Sequence, residues 1–269
     1  MPTFLEQALR LRFPPLAIFY AQEPPAGASM PGALCSMLLV ALAAKGKTVA
    51  LGAETCPCHG AAGGWGLTPM HPERFPGGRE CFLRFLSVGN QDHEEGRAVL
   101  RQLEQGGAPR ILVREFAEGE GFLKTPELTA RWLADVPPAR PEGPWVVIRP
   151  LAGLEPGERP KVVTFPVDPD QLSALTVLAN FAGPGTDNVR IPFGAGCACF
   201  GLLPFAEAES AHPRAVVGLT DISARYYLRK PLGRDILSFT VPLRMFEAME
   251  ADAPESFLAR FAWKSMTGT

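Results

Sequence analysis

The chain has 269 residues, of which 46% are hydrophobic, so it is long and apolar enough for one large domain or two small ones. Its 26 basic and 28 acidic residues give a formal net charge of −2 without a long run of either sign, which argues against a nucleic-acid or anionic-membrane surface. The N-terminus lacks a basic, apolar leader, and no apolar stretch is long enough to span a bilayer. We therefore expect a soluble cytoplasmic protein without a membrane partner.

The first half of the chain alternates helical and extended patterns. These patterns predict a helix over 4–11, a strand over 16–20, a helix over 35–45 and a strand over 48–53. The last strand leads into a loop that carries Cys56 and Cys58.

The second half repeats this order. It predicts a strand over 162–167, a helix over 170–181 and a strand over 188–193 that runs into Cys197. Asp168 or Asp170 is placed to cap the helix amides. A third element recurs as helices that open near Pro126 and Pro242, and a strand is expected over 145–149.

Alternating helices and strands predict an α/β (or α+β) fold. The repeated order predicts an internal duplication, with similar halves 1–135 and 145–269 joined in one compact unit by an approximate twofold. The first half would then carry an insertion near residues 79–118. Under this hypothesis the whole chain, 1–269, is a single domain.

Two Cys-x-Cys pairs dominate the candidate chemistry. Cys56 and Cys58 form one pair and Cys197 and Cys199 the other, each with glycine two residues after the second cysteine. Side chains at i and i+2 of an extended chain point to one face, so four thiolates could hold an iron–sulfur cluster or zinc. The spacing matches neither the usual zinc nor ferredoxin runs, and plain packing or a reactive thiol are the alternatives.

The other cysteines and the histidines give weaker signals. Cys35 opens a predicted helix, whose amides would lower the pKa of its thiol and make it a ligand or a nucleophile. Cys81 is expected to pack inside a helix or strand. His59 adjoins Cys58 and is either a ligand or exposed. His93 is predicted to lie at the solvated start of a helix.

A glycine-rich run and an acidic–basic pair offer a second kind of site. Residues 60–66, beginning with Gly60 and including Trp65, lack the lysine of a phosphate-binding loop but could line a small-molecule pocket. Asp221 follows a predicted strand over 215–219, and Arg225 lies four residues further on. This pair either binds a ligand or forms a capped helix start with an i,i+4 ion pair.

Several segments together resemble the DUF169 family, archaeal and bacterial proteins of unassigned role. They are the runs at 35–38, 44–49, 56–61, 167–172, 196–198, 221–226 and 239–242. The resemblance covers nearly the whole chain and implies one cysteine at each of three landmarks, here Cys35, Cys56 or Cys58, and Cys197. It therefore favours a three-thiol site over a four-thiol one.

The sequence thus predicts a protein that binds a metal or iron–sulfur cluster through Cys35, Cys56, Cys58, Cys197 and Cys199. The alternative is a small-molecule-binding protein or a thiol-dependent enzyme without metal. Its pocket would then be lined by Gly60, Trp65, Asp221 and Arg225. The expected partner is a small molecule or a redox partner, not a nucleic acid.

Overall fold

The structure is a computed structural model that describes residues 3–30, 35–56, 60–183 and 185–268. Its helices are α1 Phe4–Ala8, α2 Leu38–Ala44, α3 Ala61–Gly64, α4 Gly78–Phe85, α5 Glu94–Gln105, α6 Arg110–Glu118, α7 Pro126–Asp135, α8 Pro169–Ala179, α9 Gly196–Phe200, α10 Leu202–Glu209, α11 Ile222–Leu228, α12 Leu243–Asp252 and α13 Phe261–Thr267. Its strands are β1 Leu16–Ala21, β2 Val49–Gly52, β3 Trp145–Pro150, β4 Val162–Val167, β5 Val189–Arg190, β6 Ala215–Gly218 and β7 Leu237–Pro242. No helix in these ranges is long and apolar enough to cross a membrane.

The described strands form one sheet in the order β2-β3-β1-β4-β7-β6-β5. All neighbours are antiparallel except β5 and β6, which run parallel. Strands β3 and β4 are rich in β-branched residues, and β1 to β4 and β7 are mostly buried along their length, as expected for a sheet covered on both faces.

Alternate residues of β4 supply two separate cores. Ile18 and its partner Val162 face a core that includes residues of α2, α3, α9, α10 and α11. Val163 and Phe165 point the other way, into a core that includes residues of α1, α8, α12 and α13. The predicted mixed α/β fold is confirmed.

Most predicted elements are present, with shifts at their ends. The capping residue of α8 is Asp168, whose Oδ1 accepts the Gln171 amide at 2.9 Å while Gln171 Oε1 accepts the Asp168 amide at 3.1 Å. The predicted strand over 188–193 is reduced to Val189–Arg190. Pro242 ends β7 and caps α12 instead of lying in its first turn.

The chain divides into two compact units. One comprises Met1–Pro69 with Ala139–Thr269 and contains the whole described sheet; the other comprises Met70–Pro138. The second unit is helical in its described residues, with α4 to α7, and it contains the segment 79–118 that was predicted as an insertion.

The predicted internal duplication is not shown. Adjacent antiparallel strands such as β1 and β4 can be related only by a twofold perpendicular to the sheet, which keeps each helix on its own face. However, the corresponding helices, α2 after β1 and α8 after β4, pack on opposite faces. The predicted correspondence of α2 with α8 is therefore not supported.

Candidate functional site

Residues 35–37 form a turn that is held against a buried tryptophan. Trp65 is fully buried, and its Nε1 donates to Ser36 Oγ at 2.9 Å. The turn leads into α2, because the Leu38 amide donates to the Cys35 carbonyl at 3.1 Å. Cys35, half-buried, therefore precedes α2 by one turn, and the predicted helix over 35–45 begins three residues later than expected.

Cys197 lies directly against the segment that contains Trp65. A Cβ on Gly64 would stand 2.3 Å from Cys197 Sγ, closer than real Cβ contacts come, so only glycine allows this approach. At the other end of α9, a Cβ on Gly201 would stand 2.7 Å from Trp65 Cα. The short helices α3 and α9 therefore meet backbone to backbone, with Cys197 Sγ between them and only 8% of the residue exposed.

The Trp65 segment is also tied to the sheet. Gly66 has φ +73°, a left-handed conformation that favours glycine, and its carbonyl accepts the Tyr20 hydroxyl at 2.8 Å. Residues 61–64 of the predicted glycine loop form the helix α3, and Gly60 precedes that helix. Gly64 and Gly66 in this run therefore serve close packing.

Cys199 occupies a different environment from Cys197. It packs with Leu203 and Val216, and a Cβ on Gly218 would stand 2.8 Å from Cys199 Cβ. The prediction that the two sulfurs share a face is wrong, because Gly196–Phe200 is a helix, in which residues i and i+2 point in nearly opposite directions. Burial and the Asp221 carboxylate raise the pKa of the Cys199 thiol to about 12, against an opposing effect of Arg190.

The predicted metal site is not supported. Within the described ranges, no group of three His, Cys, Asp or Glu residues could hold a metal ion. Cys56 is half-buried, follows the 3-10 turn Ala53–Thr55 and packs against the same core as Cys35 and Cys197. Cys58 and His59 lie outside the described residues.

Asp221 lies against Gly196, the first residue of α9. It caps α11, with Oδ1 accepting the Ala224 amide at 2.7 Å, and Oδ2 is buried without a hydrogen-bond partner among the described residues. A Cβ on Gly196 would stand 2.9 Å from this Oδ2. Burial raises the pKa of the Asp221 carboxyl, while the backbone amides of Ala224, Gly196 and Ser223 oppose the rise.

Arg225 is engaged with backbone carbonyls. Its guanidinium donates to Leu219 O at 3.3 Å, to Ile236 O at 3.1 Å and to Arg234 O. The capped helix start is therefore present, but the i,i+4 ion pair with Asp221 is not among the ion pairs of the described chain. Leu219 has φ +59°, a strained conformation that the Arg225 hydrogen bond helps to hold.

A comparison with protein families matches residues 4–252 to DUF169, described as an uncharacterised ArCR. The chain belongs to the DUF169 family. Comparison with curated proteins and with solved structures finds no match. The three DUF169 cysteine landmarks inferred from the sequence include Cys35 and Cys197, and both lie within one residue of a contact to the Gly64–Trp65 segment.

Some residues that build this DUF169 site were missed by the sequence reasoning. Ser36 is a buried hydrogen-bond partner that nothing in its sequence context marks. Gly196 in α9, and Gly64, Gly201 and Gly218 next to it, lie at distances from their neighbours that exclude a Cβ. The glycine content of the runs at 60–66 and 194–201 was the available signal, but it does not say which glycine meets which neighbour.

Proposed function

We propose that this DUF169 chain binds a small molecule at a thiol-bearing site beside Trp65, and that Cys35 is the thiol that meets it. One observation carries the proposal. Residues 35–37 and α9 are far apart in the sequence, yet both contact the Gly64–Trp65 segment, the first through the indole and the second through Cys197 and Gly201. Cys35, in its partly exposed turn, and Cys197 therefore both lie beside the Gly64–Trp65 segment.

Accessibility distinguishes Cys35 from its neighbours. A nucleophilic thiol must be reachable and able to lose its proton. Cys35 is half-buried, whereas Cys197 is 8% exposed and confined against Gly64. Cys199 is buried, and its raised pKa keeps it neutral, so it supports the packing of α9 instead.

Asp221 is the group best suited to a polar part of the ligand. Its Oδ2 makes no hydrogen bond of standard geometry among the described residues; it lies beside Gly196, one residue from Cys197, and the Gly196 amide opposes the rise of the carboxyl pKa. Burial raises the pKa of this carboxyl, and its oxygens can accept a hydrogen bond. A small molecule with a hydroxyl group and a soft, electrophilic centre would match both groups.

Zinc or iron–sulfur binding is the competing outcome, because Cys58 lies outside the described ranges and the resemblance to DUF169 favours a three-thiol set. A direct measurement of bound metal distinguishes the two functions. Anaerobic reconstitution with ferrous iron and sulfide, or with zinc alone, should leave the purified protein colourless and metal-free. A stoichiometric metal or a visible chromophore would replace the small-molecule proposal with the metal one.

The thiol assignment is tested by native alkylation with iodoacetamide, followed by peptide mapping. Cys35 should be modified faster than Cys197, Cys199 and free cysteine. Because Ser36 bonds the Trp65 indole, alkylation of Cys35 should also change tryptophan fluorescence. Cys35→Ser should abolish that fluorescence change. Trp65→Phe should also abolish it if Trp65 is the tryptophan that responds. Cys56→Ser, at another half-buried cysteine, should preserve it.

Two results would contradict the assignment. Alkylation of Cys35 no faster than that of free cysteine would remove its role as the reacting thiol. A fluorescence change that persists in Cys35→Ser would show that another residue reports on Trp65.

A further inference from the structure

The compact unit Met70–Pro138 holds a second group of reactive side chains, separate from the site beside Trp65. Cys81 lies in α4, and its Sγ is 3.7 Å from His93 Nδ1. On the other side of the ring, His93 Nε2 is 3.1 Å from Glu95 Oε2. A thiol, an imidazole and a carboxylate thus follow one another, which is the order of a nucleophile, its base and the group that orients the base.

The hydrogen bonds assign the imidazole tautomer. His93 caps α5, and its Nδ1 accepts the Gly96 amide at 3.3 Å, so this nitrogen carries a lone pair. The proton then lies on Nε2, where Glu95 accepts it. Cys81 Sγ also lies within reach of this single lone pair, so Nδ1 receives the thiol proton when the Gly96 amide gives up its hydrogen bond.

Gly77 lies directly over the Cys81 thiol. Cys81 has no exposed surface, and a Cβ on the exposed Gly77 would stand only 2.4 Å from the sulfur. Gly77 and Gly78 have φ +78° and +76°, conformations that suit glycine. Access of a small molecule to the thiol therefore requires displacement of Gly77.

Asn90 adds an unused acceptor to the same group. It is fully buried, and its Nδ2 donates to the Cys81 carbonyl at 3.1 Å and to the Phe116 carbonyl at 3.2 Å. Its Oδ1 has no hydrogen-bond partner among the residues described, which is unusual for a buried amide. A small molecule with O–H donors can satisfy this oxygen.

We propose that Cys81 is a site of oxidation by hydrogen peroxide, with His93 as its base and Glu95 positioning the imidazole. His93 Nδ1 takes the thiol proton, and the sulfur attacks one peroxide oxygen. The O–O bond breaks, and the departing hydroxide takes the proton from His93. The products are Cys81 sulfenic acid and one water; the sulfur loses two electrons and the peroxide gains them.

The base is essential to this assignment. Burial raises the pKa of the Cys81 thiol, Glu95 and Glu80 raise it further, and Arg84 opposes them. The resting thiol is therefore neutral, and a buried neutral thiol without a base is inert. Cys199 is such a thiol in the same chain, buried to 1% exposure and 4.0 Å from its hydrogen-bond partner, the Gly194 carbonyl.

The test is to treat the full-length protein with hydrogen peroxide, trap sulfenic acid with dimedone and quantify each cysteine peptide by mass spectrometry. Cys81 should be trapped at least about a hundredfold faster than Cys199, the modest end of general acid–base assistance. His93→Asn is the matched variant, because asparagine is a good helix cap but not a base. It should lower trapping at Cys81 by at least about a hundredfold and leave Cys199 unchanged.

Glu95→Gln keeps the cap and the imidazole, so it provides a second variant if His93→Asn does not fold. It should slow trapping at Cys81 by less than His93→Asn does. Equal trapping of Cys81 and Cys199 in the unmodified protein would overturn the proposal. So would unchanged trapping at Cys81 in a His93→Asn or Glu95→Gln protein with the original urea midpoint.

Discussion

Gly64 and Gly60 lie in the same short segment, but only Gly64 is held against another side chain. A Cβ on Gly64 would meet Cys197 Sγ at 2.3 Å, whereas nothing lies within 4 Å of a Cβ on Gly60. Gly64→Ala should therefore lower the free energy of unfolding by about 1–3 kcal/mol through overpacking. Gly60→Ala should change it by less than about 0.5 kcal/mol. Urea denaturation of both variants checks this, and equal effects would contradict it.

Asp221 should make stability depend on pH. Its pKa is raised above 3.8 in the folded state, so between the two values the folded protein binds more protons than the unfolded chain. The free energy of unfolding therefore falls as pH rises through that window. The asparagine in Asp221→Asn cannot ionise. The free energy of unfolding of this variant, minus that of the original protein, should therefore increase as pH rises from below 3.8 to neutrality.

Urea denaturation across this pH range measures that difference. Asp170→Asn, at an exposed residue, controls for the removal of one acidic charge. A stability difference for Asp221→Asn that is constant across the range would show that the carboxyl does not titrate differently on folding.

At the scale of elements, the structure decides which of two aspartates caps α8. Asp168 accepts the Gln171 amide, while Asp170 lies exposed in the first turn. Asp168→Ala should cost about 0.5–2 kcal/mol of stability, and Asp170→Ala much less, because only the first leaves a helix amide without its partner. Thermal or urea unfolding of the two variants compares them directly, and a larger loss for Asp170→Ala would reverse the assignment.

Elements with strong local signals could be predicted from the sequence. Apolar strands over 16–20 and 162–167, the proline at the start of α7 and the capped helix after Asp221 all match the structure. The helix α9 could not be predicted, because its five residues are stabilised by close contacts to Gly64 and Gly218, distant in the sequence. The same contacts determine where the side chains of Cys197 and Cys199 point. The sequence therefore predicted which residue types form the candidate site, but not their arrangement.

At the scale of the molecule, the sheet makes the two sequence halves depend on each other. Strand β1 pairs with β3 and β4, and β2 pairs with β3; β1 and β2 do not pair with each other. A fragment ending at residue 135 contains neither β3 nor β4. We expect its β1 and β2 amides to exchange with solvent without protection.

Hydrogen exchange read by mass spectrometry tests this, with the full chain as reference. Adding the complementary fragment from residue 136 onward should restore protection to β1 and β2. Helical structure from residues 70–138 is compatible with this outcome, since that unit contains none of the described strands. Protected β1 and β2 amides in the isolated fragment would contradict the strand order.

The same pairing has a consequence during synthesis on the ribosome. The apolar strands β1 and β2 are complete by Gly52, but their shared neighbour β3 ends only at Pro150. At about 5–20 residues per second, the nascent strands wait on the order of 5–20 s for a partner. During that interval their hydrogen-bonding edges are open, so this stretch of the nascent chain is where a chaperone would be needed most.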